Sequence, residues 1–257
     1  MEPKIYFIGA GPGDPELITM KGYRIIGGAD VIIYAGSLVN PKVFAHHQPN
    51  ADIYNSARID LPEIIDIMQK SHAKGHVIAR IHTGDPSIYG SIREQIEELD
   101  KLNIDYEVVP GVSSFTAAAS VLSSEFTVPE ISQTVICTRF EGRTPVPELE
   151  KIELLASHKT SMAIFLSVHM ISDLVTQLTK HYSWTTPIAV VEKATWPEQR
   201  IVRGTLRDIA EKVIDKGISK TAMILVGDFL GKEYNNSKLY DSEFTHEYRK
   251  GKTSCGE

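Results

Sequence analysis

Residues 5–15 read Ile-Tyr-Phe-Ile-Gly-Ala-Gly-Pro-Gly-Asp-Pro, an apolar run that ends in a glycine-rich loop. A short apolar run bounded by turn residues predicts a buried strand. The loop leads into a helical pattern over residues 16–28, and residues 31–34, Val-Ile-Ile-Tyr, form the next apolar run. Because strands that alternate with helices indicate βαβ units, the first half of the chain predicts an α/β fold with a largely parallel sheet.

The alternation continues along the chain and is interrupted once. Further strands are predicted over residues 76–82, 106–109, 134–138, 162–166 and 222–226, a strand pair over 188–192 and 200–203, and helices over 61–73, 87–102, 148–157, 170–181 and 206–216, with an alanine-rich helix ending at 122. Ser, Glu, Thr and Pro break the periodicity at residues 123–132. We therefore predict two α/β domains, residues 1–125 and 130–231, and a polar tail over residues 232–257.

Composition and charge exclude several classes of protein. The 257 residues carry 27 Lys and Arg against 33 Asp and Glu, a net charge of −6. This balance argues against a nucleic-acid surface, which needs clustered cations. No run approaches the roughly 20 apolar residues of a membrane helix, no signal-peptide pattern opens the chain, and two cysteines are too few for a disulfide framework. We expect a cytoplasmic protein that binds neither nucleic acid nor membranes.

Three glycine-containing loops each follow a predicted strand. We call residues 9–14 the first loop, residues 83–86 the second loop and residues 110–114 the third loop. In an open parallel sheet, ligands bind beyond the carboxyl ends of the strands. The three loops therefore predict a cleft along one sheet edge that accepts a flat or elongated molecule.

The first loop matches the dinucleotide-binding fingerprint only in part. Gly9 and Gly11 stand in the expected places, but Asp14 occupies the position of the third glycine. The loop is therefore either a plain strand-to-helix turn or the dinucleotide-binding loop of a nicotinamide-dinucleotide oxidoreductase. In the second loop, Asp85 either caps the next helix or binds amine or hydroxyl donors of a ligand, and the residues alone leave both open.

Four motifs resemble, in order, the signatures of the tetrapyrrole methylase family: residues 9–19, 83–90, 110–114 and 191–200. The resemblance covers residues 4–230. Residues 135–147, Val-Ile-Cys-Thr-Arg-Phe-Glu-Gly-Arg-Thr-Pro-Val-Pro, resemble the branch that methylates C11 of precorrin-4 or its cobalt chelate in cobalamin biosynthesis. The resemblance implies an S-adenosylmethionine-dependent C-methyltransferase. The alternatives are methylation of another tetrapyrrole position, as in the uroporphyrinogen III branch, and a carrier without turnover.

The resemblance also implies where the ligands bind. S-adenosylmethionine, or its product S-adenosylhomocysteine, is expected in a cleft between two α/β domains, and the family's members are generally homodimers. The cofactor contacts carried over onto this sequence are Thr83, Gly84, Asp85, Ile88, Ser113, Ser114, Leu166, Ser167, Ala194 and Ala222. Pro12 of the first loop is expected to border the active-site trough.

The acetate and propionate groups of a tetrapyrrole call for cationic anchors, because Arg binds carboxylates through paired hydrogen bonds. We expect Arg139 and Arg143 to bind the substrate, with Arg58 behind them. No protein-bound metal is expected, since the nine histidines include no His-Glu-x-x-His pattern, and cobalt would arrive within the substrate. No catalytic base is identified. Cys137, inside a predicted strand, is expected to be a small core residue.

Overall fold

Two compact units make up the computed structural model of the chain, which describes residues 1–231 and 237–252. The first unit comprises Met1–Ala118 and Lys193–Gln199, and the second comprises Ala119–Glu192 and the chain from Arg200 onward. The predicted domain limits stay a prediction. They rest on the break in periodicity at residues 123–132, which carries no signal that residues 193–199 belong with the first unit. Residues 232–236 and 253–257 of the predicted tail lie outside the described residues.

The first unit is built on a five-stranded sheet in which neighbouring strands are all parallel. Across the sheet the order is β3-β2-β4-β1-β5. The strands are β1 Ile5–Gly9, β2 Val31–Tyr34, β3 Asp52–Asn55, β4 Ile78–His82 and β5 Tyr106–Val109. Every residue of β1 is buried, as its continuous apolar run predicts for a strand covered on both faces.

Three helices cover both faces of this sheet, α1 Met20–Gly27, α2 Leu61–His72 and α3 Arg93–Lys101, and a fourth helix, α4 Ser114–Val121, follows β5. Ile26 of α1 packs with Ile8 of β1 on one face, whereas Met68 of α2 and Leu99 of α3 pack with Phe7 on the other. The connections that leave the neighbouring strands β1 and β4 therefore pass to opposite faces. This reversal is the place where open α/β sheets bind ligands.

Two elements of the first unit differ from the prediction. β3 is missing from it, because Asp52–Asn55 is a short, largely exposed edge strand without a continuous apolar run. The helix predicted from residue 87 begins only at Arg93. Before it, Tyr89 and Ser91 have φ angles of 54° and 50°, which place them in the left-handed region and exclude a continuous α-helix.

The second unit contains a mixed sheet with the order β6-β7-β10-β8-β9. Its strands are β6 Val135–Arg139, β7 Ser161–Phe165, β8 Pro187–Glu192, β9 Arg200–Thr205 and β10 Ala222–Val226. β6 and β7 pair in parallel, whereas β10 pairs antiparallel with β7 and β8. The predicted strand pair over residues 188–203 is confirmed as the antiparallel pair β8 and β9.

Three helices pack together against one face of this second sheet: α5 Ile152–Ala156, α6 Ile171–Leu178 and α7 Ile209–Asp215. Their core includes Leu174 of α6 and Val213 of α7, both fully buried. Cys137 corrects the prediction of a core residue, since it lies exposed on the edge strand β6. Within residues 1–231 and 237–252, no helix is both long and apolar enough to cross a membrane.

Candidate active site

The three glycine-containing loops lie side by side at the carboxyl edge of the first sheet. Gly84 N–H donates to the Gly11 carbonyl at 2.8 Å, which joins the second loop to the first. A Cβ added to Gly9 would lie 2.6 Å from Gly111 Cα, and one added to Gly111 would lie 2.2 Å from the Gly84 carbonyl oxygen. These separations leave no room for any side chain, so glycine is what allows the three loops to pack together.

Asp85 joins the second loop to the third. Its Oδ2 accepts a hydrogen bond from Gly111 N–H at 2.9 Å, and its Oδ1 accepts from Ser87 N–H at 2.8 Å and from the Ser87 hydroxyl. Burial acts to raise the pKa of Asp85, but these hydrogen bonds outweigh it and hold the pKa below its ordinary value. Oδ2 accepts one of these bonds and can accept another, so the charged group remains able to bind a ligand donor.

The other predicted cofactor residues of the first unit differ in exposure. Thr83 is exposed, and Ile88 and Ser114 are half-buried, whereas Gly84, Ser113 and Ala194 are buried. A Cβ on Gly84 would lie 3.6 Å from both Ser113 Cα and Ser114 N, which places the second and third loops in contact. The Ser113 carbonyl accepts hydrogen bonds from Ala117 N–H and the Thr116 hydroxyl, so it begins the hydrogen bonding of α4.

Buried polar residues of β4 form hydrogen bonds with the segment between β4 and α3, and the sequence predicts no role for them. Arg80 is 5% exposed, and its guanidinium donates to Gln95 Oε1 at 3.0 Å and Ser56 Oγ at 3.1 Å, both neutral groups. Gln95 Nε2 in turn donates to the Ser91 carbonyl at 2.9 Å. Burial lowers the pKa of Arg80 to about 10. The chain of hydrogen bonds fixes the left-handed residue Ser91.

His82, the last residue of β4, bonds to Gly90, which directly precedes Ser91 in the chain. Its ring forms a hydrogen bond with the backbone of Gly90, while its buried Nε2 has no partner among the described residues. Burial, with the nearby Arg80 charge, lowers the pKa of His82 to about 3. The imidazole is therefore neutral at physiological pH. An alternating pattern of Arg80 and His82 within an apolar strand was the sequence signal for this inward-facing pair.

Residues 193–199 tie down the tip of the first loop. The indole Nε1 of Trp196 donates to the Pro12 carbonyl at 2.8 Å, and Asp14 N–H donates to the Thr195 hydroxyl at 3.0 Å. From the other side, Asn40 Nδ2 donates to the Gly13 carbonyl at 2.8 Å. Asp14 itself caps a short turn by accepting from Glu16 N–H at 2.9 Å. Pro12 therefore has a fixed backbone position.

In the second unit, Leu166, Ser167 and Ala222 lie at one end of the sheet. Leu166 follows β7 with a φ of 55° and is 63% exposed, an unusual conformation for a branched apolar residue. Ser167 is fully buried, and its hydroxyl donates to the Phe165 carbonyl at 2.6 Å and accepts from Phe140 N–H at 2.8 Å. Its side chain thus fixes the turn after β7, and Leu166 is the residue that this turn exposes.

The three predicted arginine anchors have different surroundings. Arg139 ends β6, and its guanidinium donates to the carbonyls of Thr144 and Pro145 at 3.1 and 2.6 Å. Arg143 lies exposed in the loop that these bonds close, and Arg58 lies exposed after β3. Arg139 therefore shapes the loop that carries Arg143. The structure brings these two together, and Arg58 belongs to the other unit.

No cluster of three or more His, Cys, Asp or Glu suited to a metal ion occurs in residues 1–231 and 237–252. The histidines have other surroundings: His46, for example, stacks on Tyr23 with ring centroids 3.7 Å apart, and its Nε2 lies 2.8 Å from the Tyr23 carbonyl oxygen.

The sheet with its three glycine loops, and the motifs that form them, define a known class of protein. Residues 4–210 match the family described as tetrapyrrole (corrin/porphyrin) methylases, so the chain belongs to this family. It is 59% identical over 249 residues to a cobalt-precorrin-4 C(11)-methyltransferase of Methanocaldococcus jannaschii, with 96% of each chain covered. It is 47% identical over 248 residues to a precorrin-4 C(11)-methyltransferase of Pseudomonas aeruginosa, covering 96% of this chain and 99% of the relative.

Solved structures show the same relationship. The X-ray structure of a cobalt precorrin-4 methyltransferase, a cobalamin biosynthetic enzyme, is 45% identical with a TM-score of 0.87, covering 89% of this chain and 96% of that one. A uroporphyrin-III C-methyltransferase of Thermus thermophilus, complexed with S-adenosyl homocysteine, is 26% identical with a TM-score of 0.73, covering 89% and 93%. The predicted family and α/β fold are confirmed.

Proposed function

We propose that this protein is an S-adenosylmethionine-dependent methyltransferase that methylates C11 of precorrin-4 or cobalt-precorrin-4 in cobalamin biosynthesis. The observation that carries the proposal is the 59% identity, over 96% of both chains, to a relative named for this reaction. The geometry agrees with it, because the three motif loops meet at the sheet edge where a ligand binds. C11 specificity also has the support of the match between residues 135–147 and this branch.

The residues at the loop edge fit S-adenosylmethionine. The charged Asp85 has a free acceptor position on Oδ2 for an amine or ribose hydroxyl. Thr83 and Ser114 offer hydroxyl groups at the same edge, and Gly84, with Ile88 and Ser113, completes the proposed set from this unit. Because the glycines carry no side chains, the loops pack closely and these groups lie near one another. From the remaining segments, Leu166, Ser167, Ala194 and Ala222 are proposed contacts.

When bound, S-adenosylmethionine supplies a methyl group on a sulfonium sulfur, which leaves with the electron pair of the broken bond. The protein must hold C11 in line with that methyl group, and such orientation accounts for much of the acceleration in reactions between two bound molecules. We assign the binding of substrate carboxylates to Arg139 and Arg143, with Arg58, since guanidinium groups pair with carboxylates in fixed geometry. Pro12 borders the position of the macrocycle.

The proposal has two further parts, and family resemblance and composition support them. We propose that the protein is a cytoplasmic homodimer. Its ligands are the tetrapyrrole substrate and the cofactor, and it binds neither nucleic acid nor membranes. The protein holds no resident metal, and cobalt enters, where it is needed, as part of the substrate.

Methylation of another tetrapyrrole position is the second candidate. It has the support of a 34% identity over 232 residues to a uroporphyrinogen-III C-methyltransferase of Priestia megaterium. The higher identity to the C11 enzymes favours the first candidate. For a nicotinamide-dinucleotide enzyme, Asp14 stands where a pyrophosphate would bind, and its carboxylate already caps a turn.

Turnover tests the proposal directly. The protein is incubated with S-adenosylmethionine and with precorrin-4, cobalt-precorrin-4 or uroporphyrinogen III, and each product is analysed by mass spectrometry and carbon NMR. One added methyl group at C11, with an equal amount of S-adenosylhomocysteine, is the expected result. A methyl group at another carbon, or methylation of uroporphyrinogen III alone, would favour the second candidate. Binding of the macrocycle without turnover would indicate a carrier.

A further inference from the structure

Trp196 contacts the tip of the first loop, which consists of Pro12, Gly13 and Asp14. Besides the hydrogen bond from its indole to the Pro12 carbonyl, its ring lies against Gly13. A Cβ on Gly13 would lie 2.0 Å from Trp196 Cδ1. The indole therefore occupies the space that any side chain at position 13 would need.

The segment that carries Trp196 has a strained backbone that hydrogen bonds hold in place. Thr195 has a φ of 70° and Lys193 a φ of 46°, both in the left-handed region, which is especially unfavourable for the β-branched Thr195. Gln199 Oε1 accepts from Thr195 N–H at 2.7 Å, and the Lys193 carbonyl accepts from Trp196 N–H at 3.0 Å. Such strain persists only where surrounding contacts impose it, and it clusters at functional sites.

This backbone conformation directs two hydrogen-bonding groups toward the first loop. The Trp196 N–H reaches Pro12, and the Thr195 hydroxyl reaches Asp14. Lys193 Nζ lies 5.7 Å from the centroid of the indole, on the ring's face, which adds a cation–π interaction that holds the ring in place. Among residues 1–231 and 237–252, this segment thus supplies two side-chain hydrogen bonds to the backbone of the loop tip, and Asn40 supplies another.

We infer that Trp196 is a positioning residue for the tetrapyrrole: it holds the first loop in the conformation against which the macrocycle binds. The inference rests on the proposed function, because Pro12 borders the macrocycle only if the substrate is a tetrapyrrole. Trp196 acts through the Pro12 and Gly13 backbone. We expect its loss to raise the substrate KM more than the Kd for S-adenosylhomocysteine, since the Asp85 hydrogen bonds do not include the loop tip and, of this segment, only Ala194 is a proposed cofactor contact.

The test compares Trp196→Phe with Trp184→Phe. The chain has two tryptophans, and Trp184 is 51% exposed in the second unit, so its replacement is a matched control for the same chemical change. Trp196→Phe keeps a ring over Gly13 and removes the N–H donor. We expect the tetrapyrrole KM to rise about fivefold, the effect of one lost hydrogen bond, with the Kd for S-adenosylhomocysteine within about twofold of wild type and Trp184→Phe unchanged.

A second pair of variants tests the contact itself. Gly13→Ala forces the indole away, so it should raise the tetrapyrrole KM at least as much as Trp196→Phe does. In a Trp196→Ala background the space is open, and Gly13→Ala should then add no further increase. This non-additivity is a property of a positioning contact and is independent of overall stability.

Two results would overturn the inference. One is an unchanged tetrapyrrole KM in Trp196→Phe while the wild-type protein is active. The other is a parallel rise of KM and of the Kd for S-adenosylhomocysteine together with a lower melting temperature, which would mean a general folding role. If wild-type protein methylates none of the tetrapyrroles, the proposed function fails first, and the substrate role of Trp196 fails with it.

Discussion

Asp85 and Gly111 are joined by a hydrogen bond of 2.9 Å from the glycine amide to the carboxylate, although their strands are not neighbours. Asp85 follows β4 and Gly111 follows β5, and β1 lies between these two strands in the sheet. The Asp85 side chain therefore reaches past the end of β1, where the absence of a side chain on Gly9 leaves room for Gly111 and the Gly84 carbonyl. A single charged group thus links the loops that follow β4 and β5 at the proposed cofactor site.

Replacing Asp85 by Asn should weaken the binding of S-adenosylhomocysteine. Asn keeps the size of the side chain but loses the charge and one of the two acceptor oxygens, and charge-assisted hydrogen bonds are the stronger ones. We expect the Kd to rise about tenfold, as for the loss of one such bond. Isothermal calorimetry measures this directly, with Asp66→Asn on the exposed face of α2 as the matched control. An unchanged Kd would remove Asp85 from the cofactor site.

Gly111→Ala should destabilise the first unit. The new Cβ would lie 2.2 Å from the Gly84 carbonyl oxygen and 2.8 Å from Gly9 Cα, and backbone atoms cannot yield as a flexible side chain can. We expect a loss of about 3 kcal/mol in the free energy of unfolding. Gly75→Ala, where nothing lies within 4 Å but φ is 74°, should lose only about 1 kcal/mol by denaturant titration. Equal losses would contradict close packing of the loops.

His82→Gln should make stability less sensitive to acid. The pKa of His82 is about 3 in the folded protein and near its ordinary 6.5 when unfolded. Between these values the unfolded chain binds a proton that the folded chain does not, so stability falls as the pH decreases. This contribution approaches about 1.4 kcal/mol per pH unit, and Gln, which keeps a donor for Gly90, abolishes it. Urea titrations from pH 7 to 4.5 measure the slope.

The exposed His158→Gln serves as the matched control for this change. The same slope in His82→Gln and wild type would show that His82 is not kept neutral by the fold.

Arg139→Ala should raise the tetrapyrrole KM about tenfold with little change in the Kd for S-adenosylhomocysteine. The substitution removes a cation that can bind carboxylates, and it also releases the carbonyls of Thr144 and Pro145, so that the loop with Arg143 loses its shape. Steady-state kinetics with varied tetrapyrrole checks this, and Arg207→Ala, at an exposed position of the same unit, is the control. Unchanged KM would exclude Arg139 as an anchor.

The sequence predicts the framework of the first unit well because its strands are nearly continuous apolar runs between glycine loops. β1 is found as predicted, since burial on both faces leaves a plain signal. β3 is not, because an edge strand needs no such run. The late start of α3 also escapes prediction, since the left-handed Tyr89 and Ser91 are imposed by contacts with Gln95 and neighbouring groups rather than by local preference.

The candidate site is predictable only where local motifs carry it. The glycine loops are visible in the sequence, and their mutual packing follows from the parallel sheet. Trp196 lies within the motif of residues 191–200, but its contact with Pro12 and Gly13 leaves no signal in the sequence, because these partners lie more than 180 residues away in the chain. Arg80 and His82 carry a weaker signal, because Arg is mostly exposed in proteins and only the apolar run around this pair indicates its burial.

The contacts of residues 193–199 with the first loop also have a consequence for the folding of the chain during its translation. A ribosome releases the first 118 residues seconds before the segment that contains Trp196, at about 5–20 residues per second. During that interval the loop at Pro12 has Asn40 but neither of its other two side-chain partners. We therefore expect a stalled nascent chain that ends before Lys193 to be cut by protease at the first loop, and one long enough for residues 193–199 to have left the ribosome to resist it.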